Sequence, residues 1–483
     1  MNAHTPVVEA AALPSYRPRA VWIAIAAFVV AQAIVVLLFG NGPFIDEGVY
    51  TTMGVRVLAG KSDPYGWLGG SPWVAPVLFG LGYQLGGLAG ARLVAVLLYA
   101  GAFVLLAAFT RRLFGGRAAL WATLLLAMNG IFFSFAHLAV YDAAAFVCFA
   151  GCLWAIGEHG ADGRLRWALA AGAFAGVAVV ARYAAATAIA PALLLAFVVG
   201  SRPRAGHVAA AVLIAAGLPA LHFLALNGTL IPPVTNIWAK LSGLFSRSNL
   251  AFGVVYVMLV PLVLAAGGAA LVGRRRPALA LVLLGLALPW PILHVALSHH
   301  VSFHKDMMFC FAFLFPLAGV GAARLWATRR RTAIALLAPL ALWGVAQLHW
   351  EDRSWADMRP AARYVLAGLP PGARFAAGAG WDFRMYAVLD HGVTSPWDVL
   401  DAWDVEHARG DACQSVFIVA ERSGPHDNSD PLLAAAARCG FKPVAEFPSS
   451  FYYVAPPAAH RLPKNFVVFG RPAPASLATT TTN

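Results

Sequence analysis

Apolar runs long enough to cross a bilayer alternate along this chain with short basic turns. Val21 to Phe39 is apolar except for Gln32, a membrane-spanning length. Comparable runs follow at 93–109, 118–136, 142–157, 167–181, 184–200, 207–226, 251–272, 278–298, 307–327 and 332–349. The stretch 72–89 differs: Ser71-Pro72 opens it, and it holds Pro76, Gln84 and several glycines. It reads as an amphipathic helix lying in the membrane interface. About eleven transmembrane helices result. Arginines punctuate them: Arg17 and Arg19, then Arg111, Arg112 and Arg117, then Arg164 and Arg166, Arg202 and Arg204, Arg274–Arg276, and Arg329–Arg331. An even number of crossings separates each cluster from the next. The clusters and the N-terminus are therefore expected in the cytoplasm, and the intervening loops outside.

From Trp350 onward the pattern changes. Of 22 acidic residues, 14 lie between Glu351 and the end, and short β-like runs appear at 374–377, 415–419 and 451–454. Helical stretches at 356–369 and 431–439 alternate with them. Residues 1–350 are thus expected to form a transmembrane domain, residues 351–472 a small extracytoplasmic α/β domain, and residues 473–483, with their Thr run, a disordered tail.

Composition agrees with this division. Hydrophobic residues make up 60% of the chain and charged residues 12%, which excludes a soluble globule. The net charge of +13 comes from arginines in turns between apolar runs, so it does not indicate nucleic acid. The first run is too long for a signal-peptide core and lacks a small-residue cleavage site, so it is expected to remain as an anchor. Cys148 and Cys152 share one helix and Cys310 lies in another, where packing explains them. Cys413 and Cys439 fall in the outer domain, where a disulfide or two free thiols are both open readings. There is no phosphate-binding loop, dinucleotide fingerprint or nucleophile elbow, so no nucleotide cofactor is expected.

The chemistry gathers in the outer loops. Asp46-Glu47 follows the first span behind the turn Asn41-Gly42-Pro43, and a carboxylate there can act as general base or metal ligand. Asp142 follows His137 and Tyr141 at the outer end of a span; capping a helix is its alternative role. Arg182-Tyr183 breaks an apolar stretch, and the planar guanidinium suits a phosphate. Ser298–Asp306 gathers His299, His300, His304 and Lys305 in one loop, a set able to hold phosphate or a metal, although no spacing specifies one.

In their order, these motifs resemble the GT-C glycosyltransferases, in particular the branch of protein O-mannosyltransferases and lipid A aminoarabinose transferases. Asp46-Glu47-Gly48-Val49-Tyr50 resembles that branch's acidic motif after the first span. Pro76 through Arg92 to Arg111-Arg112-Leu113-Phe114-Gly115 resembles its interfacial helix, second span and turn. Tyr141-Asp142 is similar to its second acidic site. Arg182-Tyr183 stands where many relatives carry Lys, and His304-Lys305-Asp306 is similar to a His-Lys-Glu motif, with Asp in place of Glu. The resemblance implies a multi-pass enzyme of the cytoplasmic or inner membrane. It implies transfer of a hexose or pentose, mannose-like favoured, from a polyprenyl-phosphate carrier to a lipid, glycan or protein hydroxyl, with inversion. Asp46 would be the general base, with Glu47 and Asp142 as further catalytic candidates. Arg182, Tyr183, His304 and Lys305 would bind the carrier phosphate, and a divalent metal would use Asp46, Asp142 and His300. A lipid or glycan transporter, or an envelope assembly subunit, are the competing classes.

Overall fold

The computed structural model describes residues 19–39, 41–61, 71, 73–200, 205–228, 247–297, 303–351, 355–370, 373–378, 380–390, 399–400, 405, 410–422, 431–455 and 458–471. His299, His300 and the tail 473–483 lie outside them. The described residues up to Glu351 are mainly helical: α1 Arg19–Ile34, α2 Ile45–Leu58, α3 Ala75–Phe114, α4 Gly116–Met128, α5 Gly130–Phe135, α6 Asp142–Asp162, α7 Leu165–Ala181, α8 Ala186–Leu194, α9 Ala196–Val199, α10 Ala205–Asn227, α11 Arg247–Gly273, α12 Pro277–Leu286, α13 Pro289–Ala296, α14 Phe303–Thr328 and α15 Arg330–Glu351. Among the described residues, seven helical segments are long and apolar enough to cross a membrane, and four more are apolar but shorter. The shorter ones fall where spans were expected.

The helices differ in how they are covered. In α14, 83% of the apolar window is buried, as befits a helix apolar on every side. Phe309, Phe311 and Phe315 of α14 meet Phe132 of α5 and Phe146 and Phe149 of α6 in one aromatic core. The windows of α1, α10 and α15 are only about a third buried, so their remaining apolar faces suit lipid.

Two departures from the expected pattern bear on function. The sequence around Asp46-Glu47 reads as a loop behind a Gly/Pro turn, yet both residues lie in the first turn of α2. Every position from Gly48 to Gly54 is buried, so no amphipathic period betrays this helix. Its partner is the head of α3. A Cβ on Gly54 would lie 1.7 Å from the Pro76 carbonyl oxygen, so the two helices touch backbone to backbone. At Gly86–Gly87 the helical geometry fails, with Gly87 at φ +59°, a value that favours glycine. The chain there doubles back, and a Cβ on Gly90 would lie 2.1 Å from the Gly82 carbonyl oxygen. Residues 75–85 thus form a helix distinct from the span that follows.

Beyond α15 come α16 Arg359–Ala367, β1 Phe375–Ala377, α17 Gly380–Leu389, β2 Val399–Leu400, β3 Phe417–Arg422, α18 Pro431–Arg438, β4 Lys442–Phe447, β5 Ser450–Ala455, β6 Ala458–Pro463 and β7 Asn465–Gly470. Strands β2, β1, β3, β7 and β4 form one sheet in that order, parallel between β2, β1 and β3 and antiparallel beyond; β5 and β6 form a separate hairpin. Cys413 and Cys439 are joined in a disulfide that closes 26 residues. The sheet portion docks on the helices near the acidic pair. Trp355 Nε1 donates to the Gly42 carbonyl at 3.1 Å, and Tyr83 Oη donates to Asp390 Oδ1 at 2.5 Å.

Candidate active site

The first turns of α2, α6 and α14 converge at one end of the helical bundle. Each carries a carboxylate, Asp46, Asp142 and Asp306 respectively, as the positive end of a helix dipole favours. Lys305 and Arg182 lie between these acids and join them into one chain of alternating charge. The Lys305 ammonium pairs with Asp46 Oδ2, and Asp142 Oδ2 stands 3.6 Å from the same nitrogen. Arg182 Nη1 reaches Asp142 Oδ1 at 2.9 Å, and Nη2 donates to Asp306 Oδ1 at 2.7 Å. Asp306 Oδ2 lies 3.0 Å from His294 Nε2, near the end of α13, and that ring is fully buried. Only Asp46 opens appreciably to the surface, with its side chain 27% exposed.

Aromatic rings wall the two cations. Lys305 Nζ lies 5.7 Å from the Phe44 ring centre and 5.5 Å from that of Tyr141. The Arg182 guanidinium lies 5.6 Å from both Tyr141 and Phe309. Tyr141 is in turn held edge-on by Tyr50 at 4.7 Å. Burial pushes the Tyr50 phenol well above its ordinary range, reinforced by Tyr141, Asp46 and Asp142. Burial raises Tyr141 as well. Both hydroxyls therefore stay protonated.

Glu47 faces away from this chain although it neighbours Asp46. It is fully buried, and each of its oxygens accepts twice. Arg92 Nε and the Ala139 amide donate to Oε1, each at 2.9 Å. Arg92 Nη2 and the Phe44 amide donate to Oε2 at 2.7 and 2.9 Å. The guanidinium also donates to the carbonyls of Asn41 and Gly42. This pair fixes three things together: the start of α2, the second span and the loop before α6. That loop is tied a second time. Gln32, the one polar residue of the first apolar run, donates to the Phe133 carbonyl at 2.9 Å, and its Oε1 lies 3.1 Å from His137 Nδ1.

The expected phosphate ligands divide. Lys305 stands beside the open carboxylate. Arg182 is buried with both terminal nitrogens engaged by acids, and its Nε is buried without a partner among the described residues. Tyr183 is half-buried at the start of a short 3-10 turn, and His304 is half-buried with its ring against Phe135 and Phe303. For the expected metal set, His300 lies outside the described residues. Asp46 and Asp142 share the Lys305 ammonium, so as they stand they do not fit a divalent ion. The other acid-bearing group of potential ligands, Asp411 with Cys413 and Cys439, has its two sulfurs bonded to each other and offers no thiolate.

Sequence reasoning did not single out His294 and gave Arg92 and Asp306 no role. Arg92 and His294 are lone ionisable groups within or beside an apolar run, the signal that marks a functional or structural partner in a membrane protein, whereas Asp306 stands next to Lys305.

This architecture is that of a multi-pass membrane protein with the GT-C glycosyltransferase fold. The family model described as dolichyl-phosphate-mannose-protein mannosyltransferase matches residues 71–227. ArnT from Cupriavidus metallidurans, solved bound to undecaprenyl phosphate, superposes with a TM-score of 0.62 at 18% identity, over 94% of this chain and 98% of that one. The arabinofuranosyltransferase AftD from Mycobacteria superposes with a TM-score of 0.56 at 17% identity, over 94% of this chain and 40% of that one. The oligosaccharyltransferase AglB from Archaeoglobus fulgidus, in complex with an inhibitory peptide and a dolichol-phosphate, gives 0.52 at 11% identity, over 91% and 74%. No curated protein matches the chain. The GT-C resemblance is borne out at the level of the fold.

Proposed function

We propose that this chain transfers a sugar from a polyprenyl-phosphate carrier to an acceptor hydroxyl on the extracytoplasmic face of the cytoplasmic membrane, with Asp46 as general base. The observation that carries the reading is the position of Asp46: the single surface-reaching carboxylate of an otherwise buried charge chain, beside a lysine. Asp46 takes the proton of the acceptor hydroxyl as that oxygen attacks the anomeric carbon and the carrier phosphate departs. The sugar is a hexose or pentose, mannose-like favoured. The carrier's lipid tail stays in the bilayer, and its phosphate meets the Lys305 ammonium, the cation nearest the surface. Arg182 is matched by Asp142 and Asp306 and acts by holding these helix ends together. Asp142 holds Arg182 and Lys305 in place and Glu47 holds the start of α2. A polyprenyl phosphate already carries an activated sugar, so no nucleotide is needed.

Lys305→Ala is expected to raise the apparent donor KM by about tenfold or more, as loss of a charge-assisted contact worth about 1.5–3 kcal/mol implies. The acceptor KM should change much less. Donor titration at fixed acceptor measures this, and an unchanged donor KM would remove Lys305 from the phosphate site. Arg182→Ala is a poorer probe, because it strands two buried carboxylates.

The sidedness is tested separately. A cysteine placed at exposed Lys61 should react with a membrane-impermeant maleimide in intact cells, and one at exposed Arg331 should react only after lysis. The reverse pattern would put the site in the cytoplasm.

A further inference from the structure

The residues that surround the Lys305 ammonium describe a site made for that group. Asp46 Oδ2 and Asp142 Oδ2 approach it from two helices, α2 and α6. The rings of Phe44 and Tyr141 face it at 5.7 and 5.5 Å. Ring faces attract an ammonium through their quadrupole but offer no lone pair to a divalent ion. Magnesium and manganese favour about six oxygen ligands, and Mg2+ demands near-octahedral geometry at short distances. While the ammonium fills the gap, two carboxylates and two ring faces are all that meet it, and water cannot complete a metal's shell there; without it, the two carboxylates and water can. The side chain is 9% exposed, so the charge is held in place rather than trailing in water.

We propose that the Lys305 ammonium is the resident cation of the Asp46–Asp142 pair and occupies the place a divalent metal would take between these carboxylates. This rests on the reading of Asp46 and Asp142 as the acids of a sugar-transfer site and deepens it. The protein carries its own counter-charge there, fixed to the first turn of the most buried helix. Two consequences follow. The wild-type enzyme works without an added divalent ion. Removal of the ammonium leaves two facing carboxylates with no cation between them, and this opens a binding place for a metal that the wild type excludes.

The test compares Mn2+ binding, read by electron paramagnetic resonance, in purified wild-type protein and in Lys305→Met, Lys305→Ala and Lys305→Arg. Lys305→Met keeps the side-chain length and serves where the alanine variant fails to fold. Wild type and Lys305→Arg are expected to bind no stoichiometric Mn2+. Lys305→Met or Lys305→Ala should bind one equivalent at least tenfold more tightly than wild type, and adding Asp142→Asn should abolish that gain. In the second arm, excess EDTA should alter wild-type transfer by less than twofold. The proposal is overturned if wild type binds one Mn2+ that Asp46→Asn removes, if the lysine variants bind no better than wild type, or if EDTA abolishes transfer and Mn2+ restores it. The binding arm reads no transfer, so it stands or falls independently. Failure of every polyprenyl-phosphate sugar to react would sink the transferase reading alone.

Discussion

Asp46→Asn is expected to lower the rate of sugar transfer by about 10²–10⁴-fold, the range for loss of a general base. Asparagine is isosteric, and this side chain is partly exposed, so the fold should survive with an unchanged unfolding temperature in detergent. The lysine loses one anionic partner but keeps Asp142, 3.6 Å away. The effect should fall on kcat and leave the donor KM within a fewfold. Near-normal turnover in Asp46→Asn together with a dead Asp142→Asn would move the base to Asp142. Activity in both would end the assignment of this cluster as the active site.

Arg92→Leu is expected to destabilise the protein by about 3–5 kcal/mol, because it leaves a fully buried carboxylate without its cation. The damage has a local form. Glu47 ties the start of α2 to the loop before α6, so the loss should loosen the geometry around Asp46 and Asp142 together. Thermal unfolding in detergent reads the first effect, and transfer per folded molecule the second. The double variant Glu47→Leu/Arg92→Leu should recover part of the stability, since it removes both charges at once. Full stability in Arg92→Leu would contradict the ion pair as a fixing element. Glu47→Gln should cost stability more than chemistry, the opposite of Asp46→Asn.

This contrast marks how far the sequence could be read. The spans were legible because the apolar runs are long and arginine clusters separate them in pairs. The break at Gly86–Gly87 was legible in outline, through the prolines and glycines of 72–89. Helix α2 was not, because burial on every side erases the period that would mark a helix. The acidic pair was visible as a motif, but adjacent residues on a helix point about 100° apart. That rotation sends Asp46 to Lys305 and Glu47 to Arg92, and it cannot be known before the helix itself is known. The pairing of Lys305 and Arg182 with carboxylates was hidden for another reason. Lys305–Asp46, Lys305–Asp142 and Arg182–Asp306 each join residues more than a hundred positions apart, and Arg182–Asp142 spans two helices, so only the packing of α6 against α7 and of α14 against α6 brings these groups together. In the sheet portion, β1, β3, β5, α16 and α18 were foreseen. The short strand β2 and the strands β4, β6 and β7 carry mixed or brief patterns, and they are defined by their neighbours.

The most direct test of the central claim is transfer itself. Purified protein in liposomes is given polyprenyl phosphates carrying radiolabelled hexose or pentose, with candidate acceptors in the extracytoplasmic compartment. The account predicts that label moves from the carrier to an acceptor, that free polyprenyl phosphate appears in equal amount, and that Asp46→Asn stops both. Movement of the intact labelled carrier across the bilayer with no release of polyprenyl phosphate would contradict it and identify a transporter instead.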